Sequence, residues 1–262
     1  MKTKILILSL ALILVLVLSN VAAEEFEVKW KYPIKEIIGL VYVYDLDNDG
    51  KSEIIAASSK IYILNGDGKL VKESLNKIAE ITNLQVLDLN GDGVNEIVIS
   101  AGNQIFNVDG SSLSVIKDRS FGTAIAGFST GNVILDDKPE VVVCSKDGYV
   151  YVLDDKLATQ LTYNVNKSCS DVYVDDFDND GKNEIVTSDN GMYMIDNFDT
   201  LTRTDDLKFM TNQIQNIRKI YVYDLNKDGA KDILLGTFYN AYGVDKDGAK
   251  RGSTRRKGRF MI

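Results

Sequence analysis

Four short segments of the chain repeat one acidic spacing: DLDNDGKSE from Asp45, DLNGDGVNE from Asp88, DFDNDGKNE from Asp176 and DLNKDGAKD from Asp224. Positions one, three and five place side-chain oxygens around a common centre. The glycine at position six makes a turn that other residues resist. Position seven can add a backbone carbonyl, and position nine closes the set with a carboxylate. The first candidate ligand set is Asp45, Asp47, Asp49, Lys51 (through its carbonyl) and Glu53. The second is Asp88, Asn90, Asp92, Val94 (carbonyl) and Glu96. The third is Asp176, Asp178, Asp180, Lys182 (carbonyl) and Glu184. The fourth is Asp224, Asn226, Asp228, Ala230 (carbonyl) and Asp232.

Sets made only of oxygen donors and rich in carboxylates suit a hard cation. Calcium is favoured over magnesium, because the cage is built mostly by protein and need not be octahedral. The loops are not EF-hands: the position-twelve glutamate of that motif is replaced by Ala56, Ile99, Thr187 and Leu235. The competing reading is an acidic hairpin loop with an Asp-Gly turn and no metal, and one such loop would leave the two readings level. Four copies with one pattern favour about four calcium sites. Their fourteen carboxylates repel one another unless a cation intervenes. Removing Lys2 and Lys4 with a leader takes the formal charge from −8 to −10, and four divalent ions would neutralise all but about −2 of it.

The loops recur with a larger unit. The gap between Asp88 and Asp176 is twice the first spacing, and VILDDKPEVVVCS from Val133 fills it as a decayed copy in which Glu140 aligns with Glu53. Each copy is followed by a short apolar run and a turn: KIYILNGDGK, QIFNVDGSS, YVYVLDDK, MYMIDNFD and AYGVDKDGAK. In the first unit the strands are expected over 38–44, 54–58, 61–64 and 69–75, with the acidic loop over 45–53. Four antiparallel strands in about 44 residues make a β-propeller blade. The fold class is therefore all-β, a β-propeller of five four-stranded blades over residues 26–250. The segment FEVKWKYPI is expected to add an N-terminal strand to the last blade and close the ring, with Trp30 as a packing anchor.

The remaining signals place the chain and limit its chemistry. Residues 1–23 have a basic start, an apolar run and small residues before Glu24, the layout of a secretory signal peptide; an uncleaved N-terminal anchor is the alternative. The protein is thus expected to be secreted or on the cell surface. Cys144 and Cys169 lie in apolar segments and are expected as buried free thiols, with a disulfide as the alternative in an exported chain. Among 262 residues there is no histidine, which excludes Ser-His-Asp and Cys-His nucleophile systems and His-liganded zinc. The acidic balance argues against nucleic acid as a partner. Residues 251–262 form a basic tail, read as a disordered end or as a contact with the envelope or a membrane surface, a role the N-terminal segment could share.

The intact loops and their strand context resemble the FG-GAP family in the broad sense that includes integrin-type propeller repeats. That resemblance implies calcium between the first two strands of a blade, and a protein or carbohydrate ligand at the opposite face or at blade junctions. The Gly-Ala-Pro half of the signature is absent, and Phe-Gly occurs only as Phe121-Gly122. The trailing Asp-Gly-Lys turns also look like those of pyrroloquinoline-quinone-type propellers. The expected function is a non-catalytic, extracellular or cell-surface adhesion or ligand-binding module, with no catalytic residue assigned. The alternative is a propeller-scaffold polysaccharide lyase or glycoside hydrolase, for which Asp136 and Asp137 are the non-repeated acids. A quinone-dependent redox propeller comes third.

Overall fold

The structure, a computed structural model, describes residues 27–134, 136–165, 168–177, 179–188, 191–196, 206–211, 214, 216–225, 227, 229 and 231–244. The expected leader over 1–23 and the basic tail over 251–262 lie outside these residues. The chain divides into two units, Met1–Pro33 and Ile34–Ile262. The described part of the first unit has no regular secondary structure, and all the strands belong to the second. Among the described residues no helix is long and apolar enough to cross a membrane.

Five antiparallel sheets follow one another along the chain. Blade 1 consists of β1 (Leu40–Tyr44), β2 (Glu53–Ala57), β3 (Ile61–Leu64) and β4 (Leu70–Glu73). Blade 2 has β5 (Asn83–Leu87), β6 (Glu96–Ala101), β7 (Gln104–Asp109) and β8 (Val115–Ser120). In blade 3 the strands are β9 (Ile125–Gly131), β10 (Glu140–Ser145), β11 (Tyr149–Leu153) and β12 (Thr159–Asn164). Blade 4 is built from β13 (Asp171–Asp175), β14 (Glu184–Ser188), β15 (Met192–Asp196) and β16 (Asp206–Thr211), and blade 5 from β17 (Ile217–Tyr223), β18 (Asp232–Thr237) and β19 (Ala241–Val244). Within each sheet every strand pairs with the next in sequence, and the first strands of successive blades are neighbours. This is the all-β blade architecture expected from the repeat, and the decayed copy forms a full four-stranded sheet.

The apolar runs are continuous in blades 2 to 4 because their interior strands serve two cores. On β6, Ile97 and Ile99 pack with Ile55 and Ile63 of blade 1, while Val98 packs with Val141 and Val143 of blade 3. On β10, Val142 and Cys144 face the other way, towards Val172 and Ile185 of blade 4. On β14, Val186 packs with Ile220 and Ile233 of blade 5. Alternate side chains of a strand point to opposite faces, so a strand clamped between two blades is apolar on both faces along its middle, with polar residues towards its ends. Each such Ile or Val contributes about 1.5–3 kcal/mol by leaving water. The fourth strands lie at the rim: β4 is exposed along its length, and β8 nearly so.

Two expectations are corrected. The N-terminal closing strand is not formed: residues 27–39 contain no strand, and the last sheet has three strands among the described residues. Val28 and Trp30 stay exposed, so Trp30 is no packing anchor, and Pro33 has no N–H to donate to a ladder. The cysteines are not free thiols. Cys144 on β10 and Cys169, just ahead of β13, lie in the core between blades 3 and 4, and their Cα atoms are 5.4 Å apart, within reach of the disulfide that joins them.

Candidate metal centre

Each acidic loop connects the first and second strands of its blade, and all five hairpins have the same register. Tyr44 pairs with Glu53, Leu87 with Glu96, Gly131 with Glu140, Asp175 with Glu184, and Tyr223 with Asp232. Position nine is therefore the first residue of the second strand in every blade, the decayed one included. Its carboxylate turns back to accept the backbone N–H of position two. The bonds run from Leu46 to Glu53 Oε2 (3.0 Å), Leu89 to Glu96 Oε2 (2.7 Å), Val133 to Glu140 Oε2 (2.8 Å), Phe177 to Glu184 Oε2 (2.8 Å) and Leu225 to Asp232 Oδ2 (3.3 Å). A buried N–H left without a partner would cost about 1–3 kcal/mol, so this acid closes the hairpin whether or not an ion is present.

Inside the loop, position one is the hub. Its Oδ2 accepts the N–H of the position-six glycine in all four intact loops: Gly50 to Asp45 (2.9 Å), Gly93 to Asp88 (2.8 Å), Gly181 to Asp176 (3.0 Å) and Gly229 to Asp224 (2.9 Å). Its Oδ1 accepts the position-five N–H from Asp49 (3.0 Å), Asp92 (3.1 Å) and Asp180 (3.1 Å). Position five in turn accepts the position-seven N–H, from Lys51, Val94 and Lys182. The four glycines have φ between 85° and 90°, where a Cβ is strained.

These bonds curl the carboxylates inward. One oxygen from each of Asp45, Asp47 and Asp49 lies within 4.8 Å of the others, and the same holds for Asp176, Asp180 and Glu184. Glu53 is not part of the first group. In the second loop the Asn90 amide bridges Asp92 Oδ2 (3.1 Å) and Glu96 Oε1 (3.0 Å). Asp178, Asn226, Asp228 and Ala230 lie outside the described residues. Carboxylate oxygens that accept one N–H keep a second lone pair, so the donor sets fit an oxygen-seeking cation. The N–H of Lys51, followed by its ammonium, holds Asp49 below the usual carboxylate range. Burial pushes Glu96 up, with the charges of Asp92 and Asp88 adding to the rise against the N–H of Leu89.

The decayed loop keeps the frame, with Asp136 at position five and Glu140 at position nine, and lacks the acids at positions one and three. Asn132 and Ile134 stand at positions one and three, and Asp137 takes the glycine's place with φ at 68°. Asp136 and Asp137 are exposed, and Asp136 accepts the N–H of Lys138. Burial raises Glu140 to about 7, against the pull of the Val133 and Ile134 N–H groups.

Several contacts between blades were not anticipated from the sequence. Asn95, at position eight of the second loop, is buried and donates to the carbonyls of Asp45 (3.3 Å) and Leu46 (3.0 Å) and to Asn48 Oδ1 (3.2 Å). Asn183, at the same position of the third intact loop, donates to Asn132 O (3.1 Å). The only sequence signal is the recurrence of Asn at position eight.

Residues 45–99 match the family model of the FG-GAP-like repeat. This stretch is an FG-GAP-like repeat. It holds the first two acidic loops and the strands between them. No curated protein matches the chain in sequence. Among solved structures the chain is similar to BBS1N in complex with ARL6DN, soaked with lead, at 18% identity and a TM-score of 0.57, covering 82% of this chain and 66% of that one. It is similar to Saccharomyces cerevisiae Sqt1 at 13% identity and a TM-score of 0.59, with 76% and 56% covered. The Neurospora crassa Pan2 WD40 domain gives 15% identity and a TM-score of 0.53, with 73% and 58% covered. The chain thus spans a little under two thirds of BBS1N and less of the others. At these identities the likeness bears on fold alone, and the fold is a β-propeller.

Proposed function

We propose that this chain is a non-catalytic, calcium-binding β-propeller module that works outside the cytoplasm in adhesion or ligand binding, with a protein or carbohydrate as its ligand. The observation that carries the reading is the loop geometry: one hydrogen-bond pattern, centred on the position-one aspartate, repeats in four blades and gathers carboxylates that repel one another. The ion would be held by Asp45, Asp47, Asp49 and the carbonyl of Lys51, with the equivalent residues in the loops from Asp88, Asp176 and Asp224. Glu96 and Glu184 face their loops and complete the sets there. Bound calcium supplies charge neutralisation and a link from the first strand of a blade to the second. The leader-like N-terminal segment and the Cys144–Cys169 disulfide support an oxidising, extracytoplasmic setting.

The test is thermal unfolding in millimolar calcium and in excess chelator, with calorimetric titration for stoichiometry. At a calcium concentration a hundredfold above Kd, one site adds about 2.7 kcal/mol. For a domain of this size that raises the melting temperature by roughly 5–11 °C per site. Identical melting curves in calcium and in chelator would count against the reading. A glycan array and a pull-down from envelope material test the ligand.

A further inference from the structure

The cross-blade contacts are not spread evenly around the loops. Between blades 1 and 2 they run both ways. Asn48, at position four of the first loop, donates to Gly93 O of the second (3.3 Å), and Asn95 donates back to Asp45 O, Leu46 O and Asn48 Oδ1. Between blades 4 and 5 they again run both ways: Asn179 donates to Gly229 O (2.8 Å), and Lys231 pairs with Asp175, the residue before Asp176. Between blades 2 and 3 the corresponding positions are Gly91, which has no side chain, and Pro139, which has no side-chain donor. An Asn stands at position four in the first and third intact loops, and in each case the next blade carries an intact loop. The other two intact loops have Gly91 and Lys227 there.

From this pattern, resting on the calcium reading above, we infer that Asn48 and Asn179 are positioning residues that couple the cation loops into two pairs, 45–53 with 88–96 and 176–184 with 224–232. Asn48 sits between the ligands Asp47 and Asp49. Gly93, its acceptor, sits between Asp92 and Val94. An ion that orders the first loop fixes Asn48, and Asn48 fixes the carbonyl next to two ligands of the second loop. The second ion then meets a loop already arranged, so the ordering cost falls on the first ion, and binding is positively cooperative within the pair. Linkage makes the effect reciprocal. A cavity of about 300 Å³ between the loops is lined by Asp47, Asn48, Gly93, Val94 and Gly110, among others, and the two loops are hydrogen-bonded through Asn48 and Asn95. Blade 3, which has no intact loop, stands between the two pairs; Asn183 of the third intact loop donates to Asn132 O there, at a position that carries no carboxylate.

The backbone of Asn48 has φ at 60°, and the equivalent residue of the second loop is a glycine with φ at 78°, so Asn48→Gly removes the side chain while keeping the local conformation. In the full chain, with Asp176→Asn and Asp224→Asn silencing the second pair, calorimetric titration with calcium reads the first pair alone. The expected result is two ions, the second binding about fivefold or more tighter than the first, and two ions binding independently, with no tightening at the second step, after Asn48→Gly. As a second measurement, Asp49→Asn should weaken the remaining site of the pair by a similar factor. Two independent sites with Asn48 in place, whatever their separate affinities, would overturn the coupling and leave the calcium reading standing. No calcium binding in either form would overturn both.

Discussion

Reduction of the Cys144–Cys169 bond offers a direct check on how the middle of the molecule is held. The bond spans 25 residues of sequence and ties β10 of blade 3 to the entry of blade 4. Closing a loop of that length in the unfolded chain removes entropy worth about 3.5 kcal/mol at 25 °C. At roughly 2–4 °C per kcal/mol, the reduced protein should melt about 7–14 °C lower. Both sulfurs are fully buried, so reductant reaches them only in opened molecules. The sample should therefore be reduced while unfolded, refolded in reductant, and melted in the same calcium buffer as the oxidised protein. A variant with both cysteines replaced by alanine serves as control, since its melting temperature should not respond to reductant. Alkylation and mass spectrometry of the unreduced, denatured chain gives an independent reading. Two alkylated thiols, or equal melting temperatures for oxidised and reduced protein, would refute the reasoning.

The fold raises the Glu140 carboxyl to about 7, so its contribution to stability is complete in acid below the ordinary glutamate range and is lost as the pH rises through about 7. Glu140→Gln keeps an oxygen for the Val133 N–H and carries no charge. The stability of the natural protein relative to this variant should therefore fall between pH 5 and pH 8 in paired melts, and a constant difference would contradict the assignment. A Cβ on Gly110 would lie 2.2 Å from Asn95 O and 2.9 Å from Leu46 Cδ1. Gly110→Ala should cost about 1–3 kcal/mol by chemical denaturation, and a neutral result would mean that the junction of the first two loops yields easily.

The elements that were legible in the sequence are those whose signal is local and repeated. The first blade was expected over 38–44, 54–58, 61–64 and 69–75, and its strands run over Leu40–Tyr44, Glu53–Ala57, Ile61–Leu64 and Leu70–Glu73. The alignment of Glu140 with Glu53 placed blade 3 although its loop lacks the acids at positions one and three. What escaped is long-range. The Asn95 contacts cross 47 to 50 residues, and no periodicity in one blade announces them. The disulfide depends on two cysteines meeting in a core shared by two blades, which neither apolar segment reveals alone. The N-terminal segment has the alternation of an outer strand, but alternation does not supply a partner edge. The role of position nine was legible only in part. The spacing points to a metal ligand, and the structure adds a hairpin latch at the same residue in all five blades.

That latch separates two inheritances. Blade 3 has the glutamate, Asp136 at position five and the turn, with Asp137 bent into the glycine's shape, while Asn132 and Ile134 stand at positions one and three. On the calcium reading, scaffold and ion capture are therefore separable: a blade without a full ligand set remains a sound wedge of the wheel and still has the frame on which ligands could be built.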